Sequence, residues 1–457
     1  MLTLLRPIIS WIFLNGLYFG GIGIALASIA RRAEWGLLLM VALIPQPNIF
    51  YKLYAFPMGK DLLDVLFCAV VIGIFVNKGG FERAGNSLLI IILVLVSYLA
   101  VWNSSMNFSL PIPISYGNPM IKPWKGYVFM ICMYLLTFNA VKDNGNQRKI
   151  LVFVMALVVL FISIRSYRAF TAGASFIEES RSGGPFWVVG LGSNHFGAFI
   201  AYCSAVFLGL FFLDNNRWRK ILFLGTVLLS LHPLLFAYSR GAYVAAFIVL
   251  IFFGLAKKRS LLILVFVLLV LWQTLLPASV VERIMMTKDE RGNAESSVGI
   301  RLDLWDHALN LFEKNPVIGI GFGGFEYTMP PGIPWKDTHN YYLKVLSEQG
   351  IVGFILLLIV LLMAFRSGWK LLKTGKDGFE KGLGFGFMGC VLACASTNLF
   401  GDRWSYYTMG CYFWIFWGLV DRGILIAEAS KQKAELIENT VLVDKNVYQK
   451  AEGGRNA

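Results

Sequence analysis

The sequence predicts an all-α, polytopic membrane helix bundle with one long extracytoplasmic loop, and three observations predict it. The chain is 57% hydrophobic and only 15% charged over 457 residues, too little polar surface for a soluble protein of this length. Its apolar residues come in blocks of roughly 15 to 25, each long enough to cross or nearly cross a hydrocarbon core. The basic residues gather at the block ends, so the net charge of +14 reads as membrane orientation rather than as a nucleic-acid surface. Within lipid each backbone N–H and C=O must be satisfied inside its own segment, which makes every block a helix.

In chain order the expected spans are Ile8–Ala30, Trp35–Phe50, Leu62–Val76, Leu88–Trp102, Gly126–Val141, Ile150–Ile164, Phe186–Leu213, Ile221–Tyr238, Ala242–Leu255, Leu261–Leu276, Ile351–Phe365, Gly382–Phe400 and Tyr406–Val420. The first reads either as one helix or as two short ones, and the second either as a span or as a re-entrant segment, giving about 12 to 14 crossings. Arg31 and Arg32 follow the first block, which has no clear cleavage site, so it is expected to be a retained helix. The six cysteines all fall inside apolar blocks, which argues against a disulfide framework or a metal knuckle. No internal repeat is visible.

Alternate loops are rich in Lys and Arg: Arg31–Arg32, Lys78 with Arg83, Lys142 with Arg148 and Lys149, Arg217 with Arg219 and Lys220, Lys257 to Arg259, and the 366–381 stretch. The positive-inside rule puts these and the C-terminal tail in the cytoplasm. The opposite set, including 103–121, 165–185, 239–241, 277–350 and 401–404, then faces outward. The domain reading is 1–277 as transmembrane helices with short loops, 278–347 as the extracytoplasmic loop, 348–422 as further transmembrane helices, and 423–457 as a cytoplasmic tail. The long loop is too short for an ordinary independent domain and should fold back over the helices.

Candidate chemistry lies in that outer set. In Arg301–Phe312 the apolar residues 304, 305, 308, 311 and 312 form a helical stripe. Arg301 and Trp305, one turn apart, share a face, and Asn315-Pro316 ends the helix. Gly319-Ile-Gly-Phe-Gly-Gly324 looks like a dinucleotide fingerprint but follows a helix, so a closely packed or moving loop is expected instead. Asp337 or Thr338 is the expected N-cap of the next helix. His339 then sits at a helix N-terminus, where partial positive charge favours a neutral imidazole suited to general-base work. The bland reading of His339 is an interfacial helix-start residue.

Arginines form the second constellation. Arg240, wedged in a turn between two apolar spans, needs a ligand or a buried partner. Arg181 flanks an outer loop with Arg165 and Arg168, and the latter two read as snorkelling residues. Arg403 lies beside Asp402, which offers it a pairing partner. Asn194 and His195 are costly in the outer part of a span; they line a cavity or hydrogen-bond neighbouring helices, and both readings stand. His232, before Pro233, reads as a packing residue, and His307, off the stripe, as solvated. No metal-ligand spacing appears among these residues, and no metal or other cofactor is expected.

Arg301…Trp305, Asn315-Pro-Val-Ile-Gly319-Ile-Gly321, Thr338-His339-Asn340-Tyr341-Tyr342-Leu343 and Glu348-Gln-Gly350-Ile-Val-Gly353 together resemble the O-antigen ligase and O-antigen polymerase superfamily. The Ser239-Arg240-Gly241 turn and the Asn194 helix resemble its upstream motifs. The resemblance covers roughly 185–420, and its specificity lies in the order of the motifs more than in any one of them. It implies a GT-C-like membrane glycosyltransferase of the bacterial inner membrane. The donor would be a glycan on undecaprenyl diphosphate, and the acceptor a lipid A–core or another glycan, on the periplasmic face. The reaction it implies is metal-independent and inverting, with His339 as base and Arg240 and Arg301 on the diphosphate. Arg181, Asn194, His195, Trp305, Asn340, Tyr341 and Arg403 are the candidate substrate contacts, with Trp335 and Tyr342 as further sugar-stacking faces; Trp305, Trp335, Tyr341 and Tyr342 fit an interfacial belt equally well. Ligase comes first and polymerase second. A solute or anion transporter is the rival of another class, disfavoured because the polar residues lie near one face rather than at the midplane of repeated broken helices.

Overall fold

The computed structural model describes residues 2–141, 146–169, 181–286, 296–329 and 337–453. Among the described residues every regular element is helical. The first half contains α1 (Leu2–Ala30), α2 (Ala33–Leu43), α3 (Pro47–Leu53), α4 (Leu62–Lys78), α5 (Ser87–Asn107), α6 (Ile121–Ala140) and α7 (Asn146–Ala169). Then come α8 (Ser193–Leu213), α9 (Arg217–Phe236), α10 (Arg240–Ala256), α11 (Ser260–Leu275) and α12 (Ala278–Met285). The last are α13 (Ser296–Lys314), α14 (Tyr341–Thr374), α15 (Gly378–Asn398) and α16 (Tyr407–Gly453).

Every expected span falls on one of these helices, with informative differences at the ends. The first is a single helix. The second breaks between α2 and α3, which meet at 105°, because Pro45 and Pro47 cannot continue an α-helical ladder. Pro277 marks the same 105° bend between α11 and α12. The seventh begins only at Ser193, after Gly190 in the left-handed region (φ 74°). Among the described residues seven helices are long and apolar enough to cross a membrane, or up to nine if each bent pair counts as one span. The wider expected count includes α4 and α10, at 17 residues each, and α6 and α15, which are longer but less apolar.

The core lies between α8, α15, α6 and α16. Glycines in α15 bring it against α8: a Cβ on Gly386 would lie 2.4 Å from the Val206 carbonyl oxygen. Small residues let membrane helices approach until backbone dispersion contacts replace side-chain ones. Leucine, isoleucine and phenylalanine side chains remain exposed around the bundle, as on α11, the pattern of a surface solvated by lipid.

The two loop sets separate to opposite ends. At one end Lys149 pairs with Asp377 at 2.8 Å, Arg219 with Asp214 at 2.7 Å, and Arg148 with the buried Glu380. At the other, Lys344 pairs with Asp402 at 2.7 Å, Arg403 meets His195 and Arg181 meets Asn194. These partnerships join only loops that the charge pattern assigns to the same side.

Candidate functional site

His339 sits one residue before the cap of α14, in a turn closed from both sides. The Thr338 hydroxyl donates to the Asn340 carbonyl at 2.7 Å and accepts from the Asn340 N–H at 3.2 Å. Asn340, rather than Asp337 or Thr338, is the N-cap. Its Oδ1 accepts from the N–H groups of Tyr342 and Leu343, satisfying two donors that the first helical turn cannot. This closure forces His339 into the left-handed region, φ 51°, a conformation costing an L-residue about 1–2 kcal/mol. Trp305 on α13 braces the turn by donating its Nε1–H to the Thr338 carbonyl at 3.0 Å.

A cluster of charged groups surrounds the ring. Asp337 Oδ2 lies 3.9 Å from His339 Nδ1, an electrostatic contact rather than a hydrogen bond. Asp337 Oδ1 is buried with no hydrogen-bond partner among the described residues. Burial, helped by repulsion from Asp402, pushes the Asp337 carboxyl above the usual carboxylate range, against the pull of Lys344, His339 and Arg403. Burial also pushes His339 below the usual imidazole range; Arg301 and Arg403 add to this, while Asp337 and Asp402 oppose it. His339 is therefore neutral at neutral pH. Asp402 goes the other way. Burial would raise it, but Lys344 and hydrogen bonds from Ser405 hold it below its ordinary value. Burial brings Arg403 down to about 10 against the attraction of Asp337 and Asp402, so it remains cationic. Three cations, Arg301, Arg403 and Lys344, thus stand around one ionised carboxylate, one carboxylate of raised pKa and a neutral imidazole.

His195, in the first turn of α8, receives a hydrogen bond from Arg403 Nη1 at 2.9 Å. A guanidinium has no acceptor, so His195 Nε2 must accept and its proton sits on Nδ1. The bond ties α8 to the turn between α15 and α16. Asn194 beside it accepts from Arg181 Nη2 at 2.7 Å, and Arg181 also donates to the Ala237 carbonyl. Arg240 donates to the Met286 carbonyl at 2.9 Å, and Arg283 points at the Met286 sulfur. Arg181 and Arg283 both act on the Tyr243 hydroxyl. Adjacent residues of α8 thus join two groups: His339, Arg301, Arg403 and His195, and Arg181, Arg240 and Arg283.

Several expectations are corrected. Arg403 does not pair simply with Asp402: its side chain binds His195, while the Asp402 carboxylate takes Lys344. His307 is half-buried, hydrogen-bonded to Thr328 Oγ1 at 2.8 Å and set edge-on to Phe325, because the stripe of α13 packs around Phe325. Tyr341 is 4% exposed and tilted against Trp404, and with Trp404 and Tyr127 it lines a small cavity inside the bundle. Tyr342 donates to the Ala395 carbonyl, and the Asn340 oxygen is committed to capping. Arg165 and Arg168 are exposed, as snorkelling residues are, and His232 packs against Tyr167 and Phe236. Trp335 lies outside the described residues. The sequence does not single out Lys344, and it offers Asp402 only as a partner for Arg403 and Asp337 only as a cap. A lysine one turn into an apolar helix was the available signal for the first two, since it demands a buried acid. Among the described residues no group of three or more His, Cys, Asp or Glu is placed to hold a metal ion.

Residues 225–358 match the family model of O-antigen ligase. That stretch, less than a third of the chain, is similar to the O-antigen ligase family. The match includes Arg240, Arg301, Trp305, His339, Asn340 and Tyr341, and it supports the superfamily that the motifs resemble. In general terms this is a family of membrane glycan ligases and polymerases. An uncharacterized protein of Haemophilus influenzae is 30% identical over 83 residues, covering 16% of this chain. The chain spans about a fifth (21%) of that relative's length.

Proposed function

We propose that this protein is a bacterial inner-membrane glycosyltransferase that moves a glycan from undecaprenyl diphosphate to an acceptor hydroxyl on the periplasmic face, the lipid A–core or a related acceptor. The observation that carries the reading is a neutral histidine, fixed in an unusual backbone conformation, beside Arg301 and Arg403 within an O-antigen ligase family region. The acceptor oxygen attacks the anomeric carbon and its proton passes to the His339 ring, leaving an imidazolium. The bond from the anomeric carbon to the diphosphate oxygen breaks with inversion, and undecaprenyl diphosphate departs. Its growing negative charge meets guanidiniums already in place, and preorganised contacts of this kind each contribute a few kcal/mol. Arg301 and Arg403 act electrostatically on His339, and Arg240 and Arg181 are assigned to the rest of the donor. Fixed guanidinium charge supports a metal-independent reaction.

A second reading, polymerisation of lipid-linked repeat units, rests on the same region, because the family includes both activities. The deciding experiment is a glycan gel profile from cells lacking the protein, complemented with wild type or His339→Ala, with lipid-linked and surface fractions run apart. Long chains held on the carrier and missing from the surface identify a ligase. Accumulated single repeats identify a polymerase. Full complementation by His339→Ala removes the base from this scheme and restores the transporter reading.

A further inference from the structure

α14 is broken eleven residues after His339. Gly350 adopts φ 61°, ψ −161°, a combination open essentially to glycine alone. The segment 315–324, between α13 and the short turn at Gly324–Thr328, is laid into this break as a strap. Its backbone pairs with α14 on both sides of Gly350: Ile320 N–H to the Ser347 carbonyl at 2.9 Å, Gly321 N–H to Glu348 at 2.8 Å, and Ile351 N–H to Pro316 at 2.9 Å. The groups freed by breaking the helix are thereby satisfied. A Cβ on Gly319 would lie 2.4 Å from the Glu348 carbonyl carbon, and one on Gly350 would lie 2.3 Å from the Val317 oxygen. The run of glycines thus serves close backbone approach. α5 holds the other edge, through Asn103 to the Gly319 carbonyl at 2.9 Å and Asn107 to the Ile320 carbonyl at 3.0 Å.

One side chain locks the strap. The buried Glu348 carboxylate accepts from the N–H of Gly323 at 3.0 Å and of Phe325 at 3.4 Å. From this lock α13 runs back about 20 Å to Arg301, beside the first turns of α14. Leu304 and Ala308 pack on Phe325 and Leu343, and the Trp305–Thr338 hydrogen bond closes the far end. The arm bearing Arg301 and the turn bearing His339 are two sides of one closed frame, and Glu348 is its corner.

We infer that Glu348 is a positioning residue: through the strap it sets where α13 presents Arg301 to His339. The inference rests on the glycan-transfer reading only in taking that pair as the working one. The test is the titration of His339, followed by NMR on full-length, histidine-labelled protein in nanodiscs, with His339→Gln to assign its signal. The groups acting on His339 are Arg301 from α13, Asp337 from its own loop, Asp402 and Arg403 from the turn between α15 and α16, His195 from α8, and the Lys344 ammonium paired with Asp402 on α14.

Arg301→Gln removes a charge that depresses the titration, so the midpoint rises. Glu348→Gln is expected to raise it too, with the double variant going no higher than Arg301→Gln alone. The sign is diagnostic, because replacing an acid by its neutral amide can by itself only lower the His339 midpoint or leave it unmoved. Asn107→Ala, an exposed and uncharged change that loosens the strap from its α5 edge, should give a smaller rise, and it decides the matter if Glu348→Gln does not fold. The inference is overturned if His339 stays at or below its wild-type midpoint in both strap variants, or if Arg301→Gln leaves it unmoved. Wild-type protein that shows this titration pattern but transfers no glycan overturns the enzyme reading and leaves the frame standing.

Discussion

The left-handed backbone at His339 separates its structural cost from its proposed chemical use. With φ at 51°, any residue with a Cβ carries about 1–2 kcal/mol of strain there, and glycine carries none. Glycine also loses more chain entropy on folding, by roughly 0.5–1 kcal/mol relative to alanine. The net expectation is that His339→Gly is more stable than His339→Ala by about 0.5–1 kcal/mol, with His339→Asn near glycine because asparagine tolerates this region. The ring is partly exposed and 3.9 Å from the Asp337 carboxylate, and whatever contacts it makes are lost alike in all three variants, so they cancel in the comparison. Thermal unfolding of the three variants in one detergent gives the order, and glycan transfer by the same samples gives the chemistry. Gly ≥ Asn > Ala in stability, with all three inactive, is the expected result. Alanine the most stable of the three would show that the turn relaxes and the strain argument is mistaken. Transfer by the glycine variant would remove His339 as the base.

Four further outcomes follow from the same cluster. The acidic limb of the pH–rate profile should lie below the ordinary histidine pKa: a base that must be neutral works above its own pKa and fails as pH falls through it, and burial with Arg301 and Arg403 lowers that value. Asp337→Asn, which removes an opposing negative charge, should move the limb lower still, and Arg403→Gln should move it higher. Lys344→Met strands the Asp402 carboxylate, which has no exposure, and should cost about 3–5 kcal/mol, part of which Lys344→Met/Asp402→Asn recovers in a thermal assay. Trp305→Phe removes one hydrogen bond, about 1 kcal/mol, so transfer should fall several-fold with folding intact; an unchanged rate would show that the brace does not hold the His339 turn. Transfer should also survive EDTA, and its loss with recovery on added divalent metal would refute the guanidinium-only scheme.

The helices were legible because lipid imposes a rule with few exceptions: a long apolar block must be a helix. Pro45, Pro47 and Pro277 marked places where a block could not remain one straight rod. The outer helix 301–312 was legible from its stripe, and its packing on Phe325 and Leu343 is what a stripe of that width demands. His339 and Arg301 stood out through residue type and position, since an ionisable group beside a membrane span needs a reason. The groups that tune them were hidden because they are distant in sequence. Asp402 reaches Lys344 from 58 residues away and Arg403 reaches His195 from 208. Asp402 was available to Arg403 as its chain neighbour, yet a turn that donates its own N–H groups to the carboxylate, from Trp404 and Ser405, aims it elsewhere. Asn340 displaced Asp337 as cap for a related reason. Both can accept from a helix end, but only Asn340 has its oxygen next to the first free N–H groups, leaving Asp337 turned toward the histidine.

On the proposed reading, that electrostatic arrangement addresses a difficulty in binding a diphosphate at a membrane boundary. Arginines gathered tightly enough to hold a doubly charged leaving group repel one another and lose hydration. A carboxylate placed directly on them would relieve the repulsion but would compete with the ligand. Here the fully ionised carboxylate, Asp402, is tied to Lys344 at 2.7 Å, while Arg403 is anchored by a neutral partner, His195. Asp337, nearest the base, has a raised pKa and so is the more readily neutralised of the two acids. The negative charge stabilises the cluster from a distance of one residue in the chain, and the guanidinium of Arg403 keeps donor capacity beyond the one bond it gives to His195. Replacing His195 with glutamate should therefore do more harm than replacing it with glutamine. Glutamine can still accept from Arg403, whereas glutamate would neutralise it, and the difference should appear as a raised KM for the lipid-linked donor.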